Sequence, residues 1–254
     1  DFAEAVPRRL AVPEDEARAY AQAAQAMLAM AGDTLARPQF VLVVDRHPRV
    51  QAALLFIAAA APAPWHWVGA GPVSTGRPGG FEHFLTPLGA FAHTLANPDF
   101  RAEGSFNDNG IRGYGERGLR VFDFGWTPGE RTWGAGGASP MRLQLHATDP
   151  ARLEPRLGER ASKGCVRIGA GFNRFLDRRG VLDADYEAAL AAGTPLWVLP
   201  PDRQATPWSG RWLVVLETAR SARPAWSPAP RTIGASAPPA ALAAASPCPS
   251  PRSN

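Results

Sequence analysis

The sequence predicts a mainly β domain carrying a few short helices, one N-terminal helix and a disordered C-terminal tail. Three observations predict it. Short apolar segments follow one another from Gln39 onward, separated by Pro- and Gly-containing turns and without the strand-helix alternation of a parallel α/β fold. One stretch alone, Glu14 to Ala31, carries a long helical period. Beyond Ala219 the composition shifts: of the 34 residues from Ser221, 24 are Pro, Ala or Ser and none is acidic.

The elements follow in order. Pro13 with Glu14, Asp15 and Glu16 places proline and negative charge where a helix N-terminus favours them, and Gly32 supplies the stop. Tyr20, Ala24, Met27, Leu28 and Ala31 form the apolar stripe of that helix, which suits core packing. Phe40–Val44, Ala52–Ala59 and Trp65–Ser74 read as strands, with Trp65 and Trp67 on one face. Asn97–Gly118 is too polar for core and too long for a turn, and loops of that kind are usually functional or mobile, so it is expected to border a cleft. Leu119–Phe124 and Met141–Leu145 are further strands. Phe172–Asp177 and Asp183–Ala192 read as short helices, the second ended by Gly193. Leu196–Leu199 and Trp212–Leu216 read as closing strands. The tail cannot bury enough apolar surface to offset its ordering entropy, and Cys248 within it reads as an incidental free thiol.

Composition excludes several classes. A hydrophobic content of 45% in 254 residues supports a globular protein, in one large domain or two small ones. No apolar run is long enough to span a bilayer. With two cysteines a disulfide scaffold is not expected. The net charge is +4, and 26 of the 27 basic residues are Arg, Lys163 being the single lysine. These cations are scattered, which sets nucleic acid aside and leaves an acidic polymer possible. His47, His66, His83, His93 and His146 show no ligand spacing and there is no CxxC, so no metal or organic cofactor is expected. His83 and His93 are open to a cleft-facing or a hydrogen-bonded structural role. Gly113 to Gly118 spells GxGxxG, but a loop precedes it and a strand follows, so a dinucleotide site is rejected.

The chemistry concentrates between Met141 and Ile168. Alternation from Met141 to Leu145 carries His146 to a strand end, and Ser162-Lys163-Gly164-Cys165-Val166-Arg167 follows. A thiol attacks carbonyls as thiolate, so a working cysteine needs a base or nearby cations. His146 is the candidate base, and Lys163 and Arg167 are the cations. Gly164 lets backbone come close to a substrate, with N–H groups near Cys165 available to a developing oxyanion. A buried structural cysteine is the plainer reading of residue type alone; the neighbours favour a nucleophile. Asp149 either orients His146 or caps the loop before Pro150.

These residues resemble the L,D-transpeptidase catalytic domain, also called the YkuD domain. Its signature is a His, a spacer, then Ser or Thr, His, Gly, Cys and a tail often ending in Arg. His146, Ser162, Gly164, Cys165 and Arg167 fit it, while Lys163 stands where the family usually has a second His. Val73-Ser74-Thr75-Gly76 and Thr86-Pro87-Leu88-Gly89-Ala90-Phe91 look like the family's "STG … TPxGxF" segment, and Phe40–Asp45 like its opening strand. The resemblance covers Pro38 to Glu217. It implies a β-sandwich divided as 1–37 helical extension, 38–219 catalytic domain and 220–254 tail. It implies Cys165 as nucleophile, His146 as base with its ring oriented by the Ala147 carbonyl, and Gly164 beside the oxyanion. Ser162, Lys163, Arg167 and Tyr114 are then expected to meet substrate, Arg167 either at a substrate carboxylate or as a brace. The implied partner is the peptidoglycan stem peptide. A periplasmic or exported location is expected, and a first residue of Asp1 is consistent with a removed export signal or a trimmed chain. Hydrolysis by the same fold, or a wall-binding module without catalysis, are the alternatives.

Overall fold

A computed structural model describes residues 1–60 and 63–229. The fold is mainly β. Its strands are β1 (Gln39–Asp45), β2 (Ala52–Ala58), β3 (His66–Ser74), β4 (Phe84–Leu85), β5 (Gly89–Ala92), β6 (Phe100–Arg101), β7 (Arg120–Arg131), β8 (Ala138–Ala147), β9 (Val166–Ile168) and β10 (Trp212–Leu216). The helices are α1 (Phe2–Ala5), α2 (Glu14–Met30), α3 (Ala170–Arg179) and α4 (Ala184–Ala191).

One hydrogen-bonded path runs β4-β7-β8-β9-β3-β2-β1-β10-β5, with β6 on β7. Strand β3 joins its halves, pairing β2 along most of its length and β9 through Val73 and Ser74. The path curls so that two layers face one core. Leu42, Val44, Leu55, Leu213 and Val215 come from one layer and meet Phe122, Leu143, Leu145, Val166 and Ile168 of the other. Helices α1 and α3 close this core, with Phe2 edge-on to Phe172 at 5.3 Å and to Phe175 at 5.2 Å.

Helix α2 covers the outer face of β1 and β2. Period-two alternation turns Val41 and Val43 away from Leu42 and Val44, and these pack with Leu54 and Phe56 against Ala17, Tyr20, Ala21, Ala24 and Leu28. Of the expected stripe, Met27 is half-buried and Ala31 exposed. Pro13 caps the helix rather than opening its first turn. Tyr20 donates a 2.7 Å hydrogen bond to Asp45 Oδ2, a fully buried carboxylate that also accepts from the Thr218 hydroxyl at 2.6 Å. Tyr20→Phe is therefore expected to cost about 1.5–3 kcal/mol, the value of a hydrogen bond to a charged group, read from the urea midpoint.

Several elements differ from the sequence reading. Most pairings are antiparallel, but β1 pairs β10 and β8 pairs β9 in parallel. Such a pair needs a long crossover, which residues 148–165 supply for the second. Leu196–Leu199 is a turn, closed by the Leu199 N–H on the Leu196 carbonyl at 3.1 Å. Pro195 and Pro200 bracket it and bring no donors, and the Val198 carbonyl is taken by Arg101 Nε at 2.9 Å. Strand β7 runs beyond Phe124 to Arg131 through a bulge at Gly125, whose φ of 82° explains the glycine. Residues 220–229, assigned to the tail, are packed: Arg220 pairs with Glu16 at 2.5 Å and Trp226 stands edge-on to Tyr20 at 6.1 Å. One aromatic and one ion pair anchor a segment whose composition alone argues against order. The rest of the expected tail, with Cys248, lies outside the described residues. Among the described residues no helix is long and apolar enough to cross a membrane.

Candidate active site

Three sequence segments converge on the turn that carries Cys165. The Thr86 hydroxyl donates to the Gly164 carbonyl at 2.6 Å and accepts from the Gly76 N–H at 2.9 Å, so one side chain ties three segments together. Gly76 must be a glycine, because a Cβ there would stand 2.0 Å from the Phe84 carbonyl oxygen. Its neighbour Thr75 is held by the buried Gln51, which accepts from the Thr75 N–H at 2.9 Å and donates to the Thr75 hydroxyl at 2.8 Å. Inside the turn, the Ser162 hydroxyl donates to the Cys165 carbonyl at 2.6 Å and accepts from the Gly164 N–H at 3.1 Å. Gly164 has φ 142°, and a Cβ would lie 2.8 Å from Met141 Cε.

Thr86→Val keeps the shape and removes the polar link. It should cost about 1–3 kcal/mol for each of the two groups left unpaired, and slow any chemistry at Cys165. Denaturant titration and thiol-labelling rates check the two halves of that expectation.

The parallel pairing of β8 with β9 sets His146 opposite Arg167, and Cys165 stands in the turn that leads directly into β9. His146 and Cys165 both line a cavity of about 550 Å³, a size suited to a small ligand. Each residue is 4% exposed, so the cavity is their route to solvent. Cys165 Sγ also lies 3.8 Å from the Arg142 carbonyl, a weak thiol contact.

His146 Nδ1 is 2.6 Å from the Ala147 carbonyl, which accepts only from a protonated Nδ1 and so leaves Nε2 with its lone pair. Burial lowers the imidazole pKa to about 3, the Arg167 guanidinium pushes it the same way, and the Ala147 carbonyl opposes both. The ring is thus a neutral acceptor throughout the ordinary pH range. Tyr114 stands edge-on to it at 4.7 Å and donates to Gln144 Oε1 at 3.0 Å. Gln144 Nε2 and Arg142 Nε both donate to Asp123 Oδ2, at 2.8 and 2.7 Å. This chain of polar contacts holds the wall behind the imidazole.

The sequence-derived residues fall into place unevenly. Ser162, Lys163, Cys165, Arg167, His146 and Tyr114 all line the cavity. The Gly164 N–H points at Ser162 Oγ, away from the oxyanion role expected of it, because the tight turn needs that bond. Lys163 Nζ is 3.7 Å from Glu82 Oε2, which offsets part of its charge. Arg167 donates to the Ala161 carbonyl at 3.0 Å and so braces the turn. The loop expected to border the cleft does so, supplying Phe100, Phe106, Asn107 and Ile111 to its wall. Asp149 caps the loop, accepting from Ala151, Arg152 and Arg112 N–H groups. His93 is fully buried between the Leu182 carbonyl and Asp99, at 2.8 Å from each. His83 is buried on the Arg77 carbonyl at 3.1 Å. Sequence reasoning missed Thr86, Gln51 and Gln144 as parts of the site. The one sequence signal for Thr86 is its place at the head of the Thr86–Phe91 segment.

Among the described residues, no three His, Cys, Asp or Glu side chains converge as a metal site would require. No protein-family model matches the chain, and no curated protein matches it. Among solved structures, one similar chain is a fused Zn-dependent amidase/peptidase/peptidoglycan-binding domain-containing protein from Clostridium acetobutylicum. It is 12% identical with a TM-score of 0.30, and the match covers 81% of this chain and 63% of that one. The chain therefore spans less than two thirds of that protein.

Proposed function

We propose that the protein is a cysteine acyltransferase of the L,D-transpeptidase type, acting on peptidoglycan stem peptides at the cell envelope. One observation supports this above others: a histidine whose Nδ1 is tied to the next carbonyl shares a cavity with a cysteine in the turn that enters the neighbouring strand. In the proposed reaction His146 Nε2 takes the Cys165 proton and the thiolate attacks the carbonyl of the L-centre before a terminal D-alanine. The imidazolium so formed gives its proton to the leaving amine, D-alanine departs, and a thioester remains on Cys165. An amine of a second stem then attacks the thioester and restores the thiol.

The positive charges of Arg167 and Lys163 favour the thiolate over the thiol. Tyr114 and the apolar wall from Phe100 to Ile111 hold the stem peptide against the turn. Water in place of the amine makes the same machinery an L,D-carboxypeptidase. Product analysis decides between them: purified protein with a disaccharide tetrapeptide should yield cross-linked dimers, whereas tripeptide alone marks hydrolysis. Unchanged muropeptide, with binding retained, would leave only the wall-binding module.

A further inference from the structure

Lys163, the single lysine of the chain, has a side chain only 12% exposed in the cavity wall, two residues before Cys165. Its partner Glu82 lies at 3.7 Å and is 47% exposed. The pair is lopsided. The cation is largely enclosed, while the anion stands half in water at a distance longer than a close ion pair.

The fold nevertheless aims Glu82 at this spot. Its φ of 57° lies in the left-handed region that a residue with a Cβ avoids unless its surroundings impose it. The backbone on its C-terminal side is clamped: the His83 N–H donates to Gly80 O at 3.1 Å, the Thr132 hydroxyl donates to His83 O at 2.7 Å, and the Phe84 N–H donates to Lys163 O at 3.0 Å. A glutamate presented by a strained, fastened turn is a built contact. Of the other cations lining the cavity, Arg101 is engaged with Asp177 at 2.5 Å and with the Val198 carbonyl, and Arg167 with the Ala161 carbonyl. Lys163 is the cation whose partner can leave by turning into water.

We propose that Glu82 is an internal occupant of an anion site at Lys163, displaced when a carboxylate-bearing electrophile enters the cavity beside Cys165. This rests on Cys165 being the reactive thiol, and it makes the Glu82–Lys163 pair a filter that favours anionic over neutral substrates. Exchange keeps Lys163 paired throughout, so the enclosed charge is never left alone.

Alkylation of Cys165 tests this without requiring transpeptidation. The thiolate displaces iodide from iodoacetate or iodoacetamide, forming a C–S bond as the C–I bond breaks. The ratio of the two rate constants, followed by intact mass in a Cys248→Ser background, reports the anion site and cancels changes in thiolate population. Glu82→Gln should raise the iodoacetate-to-iodoacetamide ratio by about twofold to fivefold, as release of a partly exposed ion pair allows. In the Lys163→Met background the same Glu82→Gln change should leave the ratio unmoved. Lys163→Gln replaces Lys163→Met if the latter loses its near-UV circular dichroism. An unchanged ratio in Glu82→Gln overturns the proposal, and so does an equal rise without Lys163, which would mean that Glu82 merely repels anions. A ratio that behaves as expected while muropeptides stay intact would keep the anion site and remove the transpeptidase reading. No alkylation of Cys165 by either reagent would remove both.

Discussion

Replacing His146 with glutamine should slow acylation of Cys165 by about 10²-fold, the lower end of what a positioned general base supplies, because the depressed pKa makes the imidazole a weak base. The variant should also change the shape of the pH profile. Burial and Arg167 hold the imidazole at about 3, so its accepting form persists where an ordinary histidine, near about 6.5, would be half protonated. The native protein should therefore show no histidine limb on the acid side between about pH 7 and 4. In His146→Gln, only pre-formed thiolate reacts, and the rate should climb about tenfold per pH unit up to the thiol's own pKa. A native acid limb centred on the ordinary histidine value would contradict the arrangement. The same depression has a stability consequence of fixed sign: the unfolded chain binds the extra proton, so His146 destabilises the fold as pH falls below about 6.5.

Arg120→Met should be the most damaging single change away from the cavity. Arg120 is fully buried, bonding Asp99 at 2.6 Å and Asp183 at 2.8 Å, with its guanidinium carbon 4.8 Å from the Phe122 and Tyr186 ring centres. Burial pushes the Asp99 carboxyl up, but His93 and Arg120 together bring it below its ordinary value. For Asp183, burial prevails over Arg120 and the shift is upward. Removing the guanidinium breaks two buried pairs at once, leaving Asp99 to His93 and Asp183 to Arg203 at 3.8 Å, which costs about 3–5 kcal/mol. Urea denaturation should report that loss, and adding Asp99→Asn with Asp183→Asn should recover part of it. A loss under about 1 kcal/mol would mean that the cluster is not the anchor it is taken for. The effect should reach the site, because Asp99 begins the segment whose next residues, Phe100 and Arg101, wall the cavity.

Local pattern carried the mainly β fold. The alternation of Met141 to Leu145 is a property of neighbouring residues, and so is the helical stripe around Tyr20, Ala24 and Leu28. Pairing partners are different in kind. Nothing within β8 or β9 marks them as parallel neighbours, since the 148–165 crossover carries a single 3₁₀ turn, Glu154–Arg156, in place of the usual α-helix. The Thr86 link to Gly164 spans 78 positions, and spacing alone cannot find it. Arg120 reads in sequence as one more surface arginine, because its partners Asp99 and Asp183 lie 21 and 63 positions away. The error at Leu196–Leu199 came from weighing apolar content above the flanking prolines. Residues 220–229 show the converse, where Trp226 and Arg220 outweigh their neighbours' composition.

The central claim is a covalent one, and peptide mapping after brief incubation with a disaccharide tetrapeptide tests it most directly. The peptide bearing Cys165 should gain the mass of the stem minus D-alanine, and hydroxylamine should remove it as it does a thioester. Product formation with no such adduct in rapidly quenched samples, or an adduct that persists in Cys165→Ala, would contradict the account.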